Sequence, residues 1–319
     1  MTPPVVSIVI ATRDRASKLA RLLAHIQEQA FSNFECIVVD DASSEDTVRQ
    51  YTALWHGMDE RFRLVHRAHP GGPAAGRNTG IIEAQGHYVA FCDDDDHWTR
   101  TDHLAVAVRA MEAEGADFFF SNMQTSIDGQ VINPNWFKLL TQRGEMPITG
   151  EPDVYRVSPG ELRAFLRHRI FHANTMVVAR ELLNHLGSYW EKVSFAEDHD
   201  ISFRLADAAA RVLFRTTVTA DLDISPHPSV ARTYSDQDRV LFGILATLHA
   251  EAAMHNPRLR RVVRGNRAWR LLELAELALN EGRPGVAWDF AVQSLLLVPS
   301  KRAAITVAKV GGYRLFKRC

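Results

Sequence analysis

The sequence has few cysteines and no long apolar run, and both absences limit what the chain can be. Its three cysteines, Cys36, Cys92 and Cys319, are far apart and match no metal-binding or disulfide spacing. No run of about 18 apolar residues occurs, and no charged segment followed by a hydrophobic one opens the chain. These features predict a reduced, cytoplasmic protein with neither a secretion signal nor a membrane span.

The chain also lacks an excess of charge of either sign. Lys and Arg number 37 and Asp and Glu number 38, which gives a formal net charge of −1. Because nucleic-acid-binding domains carry a strong positive charge, we expect no nucleic-acid partner. The hydrophobic fraction, 46%, is that of a globular chain that can bury a sizeable core.

Strand and helix patterns alternate along the N-terminal part. Apolar, β-branched runs predict strands at residues 5–11, 34–39, 62–66 and 88–92, with helical spacing of apolar residues between them. This alternation is typical of an α/β fold with a mostly parallel sheet flanked by helices, in which the carboxyl ends of the strands share one edge.

Polar side chains follow these predicted strands. Thr12 and Arg13 follow the first strand, Asp40 and Asp41 follow the second, and a glycine-rich loop leads to Arg77 in the third helix. A carboxylate can accept hydrogen bonds from a ribose or a base, and a guanidinium can bind phosphate or a base carbonyl. An acidic turn after a strand is often only a helix cap, but the ordered set predicts a nucleotide site.

Four consecutive carboxylates, Asp93–Asp96, follow the fourth predicted strand. Their mutual repulsion near an apolar core raises their pKa values and destabilises the fold unless a cation shares the site. Oxygen ligands suit Mg²⁺ or Mn²⁺. The alternative is a solvated acidic turn, although the buried strand before the run favours a ligand site.

The chain resembles the inverting family 2 glycosyltransferases, which have a GT-A fold. The resemblance rests on four segments and covers about residues 5–232: Ser7–Arg13 (SIVIATR), Val38–Ser43 (VVDDAS), Gly76–Gly80 (GRNTG) and Asp93–Trp98 (DDDDHW). No G-x-G-x-x-G follows the first strand and no G-x-x-x-x-G-K is present, so a dinucleotide-binding dehydrogenase and a P-loop enzyme are disfavoured.

The resemblance implies roles for several of these residues. Asp95 matches the usual metal ligand and Asp93 completes the pair, whereas Asp40 and Arg77 match contacts to the uracil or ribose of a UDP-sugar. The family commonly has a small residue where this chain has Asp94. Which aspartates bind the metal therefore stays open, and we assign Asp94 to the nucleotide-sugar side.

A second acidic pair, Glu197 and Asp198, opens a predicted amphipathic helix. Acidic residues in a first helical turn can simply complement the helix dipole. By resemblance, Asp198 matches the base that takes the proton of the acceptor hydroxyl, and Glu197 orients acceptor or base. Because the helix start lowers the pKa of a carboxyl, we expect Asp200 or partial burial to restore basicity.

A histidine between two prolines, His227, follows the last predicted strand. Such a residue is usually part of a loop. The resemblance implies that His227 is a third metal or phosphate contact, with Ser229 and Arg232 as weaker phosphate contacts.

The chain divides into a predicted catalytic domain at residues 1–235 and a helical extension at 236–319. Residues 1–100 would bind the nucleotide and residues 101–235 the acceptor, with a variable loop region at 126–160. The extension has helical patterns at 240–255, 259–280 and 284–297 and a basic end. This end is either an ordinary basic surface or a patch that contacts the inner face of the membrane, with 303–316 as an amphipathic segment.

The sequence therefore predicts an inverting, metal-dependent glycosyltransferase. It would use Mn²⁺ or Mg²⁺ to move a sugar from a nucleotide-sugar, we expect a UDP-sugar, to a hydroxyl of a glycan or lipid-linked glycan, as in cell-surface polysaccharide synthesis. The alternatives are a nucleotidyltransferase, which would need a triphosphate loop that the chain lacks, and a non-catalytic scaffold that binds nucleotides or sugars. The sequence gives no oligomeric state.

Overall fold

The computed structural model describes residues 3–141, 147–148, 150–225 and 233–316, with the side chains of the last helix described as far as Gly312. The strands are β1 Val6–Thr12, β2 Phe34–Asp40, β3 Phe62–His66, β4 Tyr88–Phe91, β5 His97–Trp98, β6 Phe118–Ile127, β7 Gln130–Asn133, β8 Val154–Arg156, β9 Met176–Ala179 and β10 Val212–Asp223. The helices are α1 Ala16–Gln27, α2 Glu45–Trp55, α3 Gly72–Glu83, α4 His103–Glu114, α5 Lys138–Thr141, α6 Pro159–Leu166, α7 Arg180–Leu186, α8 Glu197–Ala208, α9 Asp236–Ala253, α10 Pro257–Asn280, α11 Pro284–Leu297 and α12 Lys301–Phe316. A 3-10 helix, Ala173–Thr175, precedes β9.

The strands form one mixed sheet in the order β3-β2-β1-β4-β9-β6-β10-β5, with β7 along β6 and β8 along β10. β1 to β4 run parallel, and β6 is parallel to β10. β9 is antiparallel to both of its neighbours and joins the two parallel groups. The predicted α/β fold, with a mostly parallel mixed sheet flanked by helices and a helical C-terminal extension, is confirmed.

β1 lies inside the parallel group formed by β1 to β4, because it is apolar along its length. Its residues are buried except for the partly buried Ala11, and it pairs with β2 on one side and β4 on the other. Thr12 is in register with Asp40, so the loops after both strands leave the same edge of the sheet. The acidic run after β4 reaches that edge too, as expected for parallel strands.

Two glycines let α3 lie very close to β1. A Cβ atom at Gly80 would lie 2.3 Å from Val9 Cγ1, and one at Gly76 would lie 2.7 Å from Ala11 Cβ. Real side chains cannot approach so closely, so only glycine permits this packing. The close contact brings Arg77, on the same helix, next to the acidic run that follows β4 at the edge of the sheet.

The middle of the chain is more ordered than the predicted loop region 126–160 suggested. It contains the hairpin of β6 and β7, the short helix α5, and β8, which pairs with β10. Residues 170–180 (IFHANTMVVAR) have an apolar composition that predicts one strand, but they form a loop, a 3-10 turn and the four-residue strand β9. Short strands carry too few residues for their alternation to be recognised in a sequence.

The C-terminal helices share part of the hydrophobic core of the sheet. Ala250 on α9 and Leu259, Val262 and Val263 on α10 belong to the main buried cluster, although the predicted domain boundary lies before them. The rest of the extension has a small cluster of its own, formed mainly by alanines of α10 and α11 together with Val310. The start of the extension is therefore attached to the sheet by packing.

The helix α12 covers the segment predicted as a membrane-surface element. Its Ala303 and Val310 are fully buried, whereas Ile305 is exposed. A contact with a membrane surface stays a prediction. Over the described ranges, no helix has both the length and the apolar character required to cross a membrane.

We expect Gly80→Ala to lower the free energy of unfolding by about 1–3 kcal/mol, because the added methyl group overlaps Val9. Gly265→Ala on α10 is a matched control, since a Cβ there meets nothing within 4 Å. The control should raise the stability by about 0.5–1 kcal/mol through helix propensity. Urea unfolding of both variants measures the difference, and equal effects would contradict the close packing of α3 on β1.

Candidate functional site

A cleft of about 510 Å³ opens at the carboxyl edge of the sheet, between the loops after β1, β2 and β4 and the start of α8. Most of the residues predicted from the sequence line it together: Thr12, Arg13, Asp41, Arg77, Asp93, Asp94, Asp95, Glu197 and Asp198. Segments more than a hundred residues apart in the chain thus meet in one cavity.

The acidic run is partly neutralised by the protein itself. Arg15 Nη1 lies 2.7 Å from Asp94 Oδ1 and 2.9 Å from Asp95 Oδ2, and Thr12 donates a hydrogen bond to Asp94. Burial raises the pKa of Asp94 to about 6, against the opposing effect of Arg15. The sequence argument counted only the acids and left out Arg15, the residue that precedes α1. The chain itself therefore supplies part of the positive charge that this run requires.

Asp93, Asp96 and His172 form a group with the chemistry of a metal site. One ligand atom from each lies within 4.8 Å of the others. Nδ1 of His172 is buried and has no hydrogen-bond partner among the described residues, and burial lowers the pKa of this imidazole, which keeps it neutral. Two carboxylates and a neutral imidazole fit a divalent cation. His172 was missed because it lies in an irregular segment that the sequence pattern assigned to a strand.

Arg77 connects the acidic run to the acidic pair of α8. Its guanidinium lies 2.6 Å from Asp93 Oδ1, 2.8 Å from Glu197 Oε1 and 3.6 Å from Asp198 Oδ1. The side chain is 5% exposed. Burial alone would lower the pKa of Arg77, but the three carboxylates hold it well above its usual value. The face of Tyr189 lies 5.2 Å away, so the cation also has an aromatic neighbour.

Glu197 and Asp198 open α8, as predicted; Glu197 is buried, and the side chain of Asp198 is partly buried, with 19% of it exposed. Burial raises the pKa of Asp198 to about 6 and that of Glu197 to about 7. Oδ1 of Asp198 has no hydrogen-bond donor within the described ranges. Asp200 does not take part as the sequence suggested, because it faces away and pairs with Arg204 and with His249 at 2.7 Å.

The two aspartates after β2 hold the backbone around them. Asp40 accepts a hydrogen bond from the Ser43 amide and lies 2.9 Å from His66 Nδ1, and it is not among the residues that line the cleft. Asp41 lines the cleft and accepts hydrogen bonds from the amides of Gly71 and Gly72. It thereby fixes the loop that leads into α3. The nucleoside contacts assigned to both aspartates stay predictions.

The remaining predicted ligands differ in what the structure says about them. Arg13 lines the cleft with about half of its side chain exposed, which leaves it accessible to a ligand. His227, with Ser229 and Arg232, lies outside the described residues.

A model of glycosyl transferase family 2 matches residues 7–157 of the chain, which include β1 to β8 and the whole acidic run. The putative colanic acid biosynthesis glycosyl transferase WcaA of Escherichia coli (strain K12) is 28% identical over 204 residues, which are 63% of this chain and 66% of that protein. In the curated relatives compared, the matched part spans from 18% to 66% of their own length.

Two solved structures are similar over nearly the whole chain. TarS 1–349 from S. aureus, in complex with UDP-GlcNAc, has a TM-score of 0.68 at 16% identity and covers 95% of this chain and 83% of its own. The mannosyltransferase PcManGT from Pyrobaculum calidifontis, in complex with GDP-Man and Mn²⁺, has a TM-score of 0.60 at 19% identity and covers 99% and 81%. Such identities establish a shared fold. Residues 7–157 therefore form a glycosyltransferase family 2 domain, and the chain has a GT-A fold.

Proposed function

We propose that the chain is an inverting, metal-dependent glycosyltransferase of polysaccharide biosynthesis. It would transfer a sugar from a nucleotide-sugar, of which a UDP-sugar is the expected form, to a hydroxyl of a glycan or lipid-linked glycan. The observation that carries the proposal is the cleft that Asp198 shares with the acidic run after β4. Within the described ranges, Oδ1 of Asp198 accepts no hydrogen bond. The names of WcaA and TarS and the ligands of the two solved structures are consistent with this activity.

Asp198 is the residue of the pair best suited to act as the base. With a pKa of about 6 it is mostly ionised at neutral pH, whereas Glu197 is about half protonated. A base works best when its pKa lies near the working pH. In the proposed step, Asp198 accepts the proton of the acceptor hydroxyl while that oxygen attacks the anomeric carbon from the face opposite the leaving nucleoside diphosphate.

Arg77 would keep this base in place. Because it binds Asp93 and Glu197 at once, it fixes the distance between the donor side and the acceptor side of the cleft. Its 3.6 Å distance to Asp198 leaves that carboxylate free of a tight ion pair, which would otherwise remove its basicity.

Asp93, Asp96 and His172 would hold the divalent cation, with Asp95 and His227 as the further ligands that the family resemblance implies. The bound ion would neutralise charge on the leaving diphosphate. An imidazole nitrogen in the set favours Mn²⁺ over Mg²⁺, which prefers oxygen ligands and water.

Asp198→Asn should retain nucleotide binding and lower the transfer rate by about 10²–10⁴-fold, because the amide cannot accept the proton. The folded protein should become more stable at neutral pH, since its surroundings disfavour the ionised carboxylate of Asp198 and the amide of the same shape is neutral. Asp95→Ala is the comparison, and we expect it to lose both binding and transfer. Calorimetric titration with UDP and Mn²⁺, beside a transfer assay, measures both effects. Wild-type transfer by Asp198→Asn would show that another group is the base.

The pH dependence of kcat/KM should have an acid limb with an apparent pKa near 6, because Asp198 must be ionised to accept the proton. Activity should therefore fall as the pH drops from 7 to 5. Residual activity of Asp198→Asn should lack this limb, whereas Glu197→Gln should keep it. A limb of the same shape in Asp198→Asn would assign the titration to a different group.

His172→Gln should weaken the binding of Mn²⁺ in the presence of UDP by about tenfold or more. The substitution removes an imidazole whose buried Nδ1 makes no hydrogen bond with the described residues. His56→Gln, at an exposed helix end, is the control and should bind Mn²⁺ normally. The paramagnetic signal of free Mn²⁺ reports binding without any need for activity. Equal affinity in the two variants would remove His172 from the metal site.

A further inference from the structure

A second cavity, of about 620 Å³, lies along α10, beside the residues that follow α6. We call it the α10 groove. Its basic side chains are Arg167 and His168, which follow α6, and Arg258, Arg261 and Arg270 on α10. Glu273 is the one carboxylate that lines it, and this group accepts a hydrogen bond from Trp269 Nε1 at 3.0 Å. The groove therefore has a strong positive charge.

The basic residues of α10 fall on two faces that differ in their partners. On one face, Glu251 of α9 pairs with Arg264 and, at 2.6 Å, with Arg267, while Arg260 lies 3.9 Å away. On the groove face, Arg258 and Arg261 form no ion pair with any carboxylate of the described residues. On one face of this helix, three arginines share the carboxylate of Glu251, and on the groove face the described residues provide the carboxylate of Glu273, which pairs with neither Arg258 nor Arg261.

Arg270 connects the groove to the catalytic cleft. Its Nη2 lies 3.1 Å from Nε2 of His199, and His199 follows Asp198 and lines the cleft. Burial lowers the pKa of Arg270, and the negative charge of Glu273 opposes this effect. The guanidinium lies against α9 at Gly243, where a Cβ would come within 2.3 Å of Arg270 Cζ. The backbone of α9 leaves room for this cation.

Gly265 forms part of the groove in the middle of α10. A Cβ there would meet nothing within 4 Å, so packing does not require glycine at this position. Glycine inside a helix costs about 1 kcal/mol relative to alanine. Its effect here is to leave the groove open between Arg261 and Trp269.

We propose that the α10 groove binds a phosphate or diphosphate group of the acceptor substrate. This inference rests on the proposed function, since it concerns the acceptor of that same transfer. An acceptor whose hydroxyl reaches Asp198 would extend past His199, where Arg270 and then Arg261 and Arg258 offer paired N–H donors to phosphate oxygens. The guanidinium of Arg302 lies 3.6 Å from the centre of the Trp269 ring, and the exposed remainder of this ring gives a neighbouring sugar an apolar surface on which to pack.

The shape of the site favours a single anionic group over a membrane surface. A bilayer contacts the outermost side chains of a protein, whereas these arginines surround a cavity whose wall includes the partly buried Arg270, Asn266 and Gly265. A concave basic site matches a compact phosphate group. Binding to anionic lipid without binding to soluble phosphate is the outcome expected of a membrane surface instead.

Inorganic pyrophosphate in EDTA is the probe, because the acidic cleft repels it when no divalent cation is present. We expect the double variant Arg258→Gln/Arg261→Gln to weaken its binding by about tenfold or more in calorimetric titration. The matched control Arg260→Gln/Arg264→Gln removes the same charge from the other face of the same helix, which Glu251 partly neutralises, and should change the affinity less than twofold. Equal losses in both pairs would show a non-specific charge effect and overturn the proposal.

A variant that keeps every charge tests whether the groove itself is the site. Gly265→Leu adds a side chain into open space, so it should fold with unchanged or higher stability and weaken pyrophosphate binding by about tenfold. Unchanged binding by Gly265→Leu would place the anion elsewhere. Vesicles of phosphatidylcholine with a quarter phosphatidylglycerol serve as the membrane arm. If the arginine variant loses vesicle binding while pyrophosphate binding is absent in the wild type, the surface contacts membrane and the proposal is wrong.

The groove variants also separate this inference from the proposed function. Arg258→Gln/Arg261→Gln should bind UDP with Mn²⁺ and hydrolyse the donor like the wild type, because the residues lie outside the donor cleft. If the wild-type protein does not bind UDP, the glycosyltransferase proposal is wrong. If it binds UDP but not pyrophosphate, only the proposal for the α10 groove is wrong.

Discussion

The site depends on one buried cation, Arg77, and on the carboxylates that surround it. Three acidic groups at the edge of an apolar core would repel one another, and the guanidinium offsets this repulsion for Asp93, Glu197 and Asp198 together. The close packing of α3 on β1 delivers Arg77 to that position. Without this cation, the start of α8 would have no electrostatic reason to stay against the end of β4, and the cleft would lose one of its walls.

The sequence was a good guide wherever a long pattern determined the structure. The buried run of β1 and the polar residues after β1, β2 and β4 predicted a parallel sheet with one ligand-binding edge, because strand direction fixes where those residues emerge. The start of α8 at Glu197 was predicted for a similar reason. β5, with two residues, and the direction of β9 have no local signal, because pairing across the sheet decides them.

The site was predicted as a set of residues but not as a set of contacts. Spacing showed that Asp93–Asp96 needed positive charge, yet it could not show that Arg15 supplies some of it. Asp200 was expected near the base because it is two residues away, but that spacing on a helix turns its side chain toward the opposite face, where it meets Arg204. In the same way, the sequence has six arginines between residues 257 and 270, which form one basic stretch. On the helix they lie on two faces: three of them meet Glu251 and three line the α10 groove.

The residue before Glu197 shows a conformation that alanine rarely adopts. Ala196 has φ of 70° and lies at the start of α8, with no side-chain cap on the helix. A left-handed alanine costs about 1–2 kcal/mol, and the packed surroundings must supply that free energy. Alanine at this position restricts the turn before the two carboxylates to fewer conformations than glycine would allow. The carboxylates therefore take up their positions when the chain folds. The protein exchanges some global stability for a pair of carboxylates whose positions are set before any ligand binds.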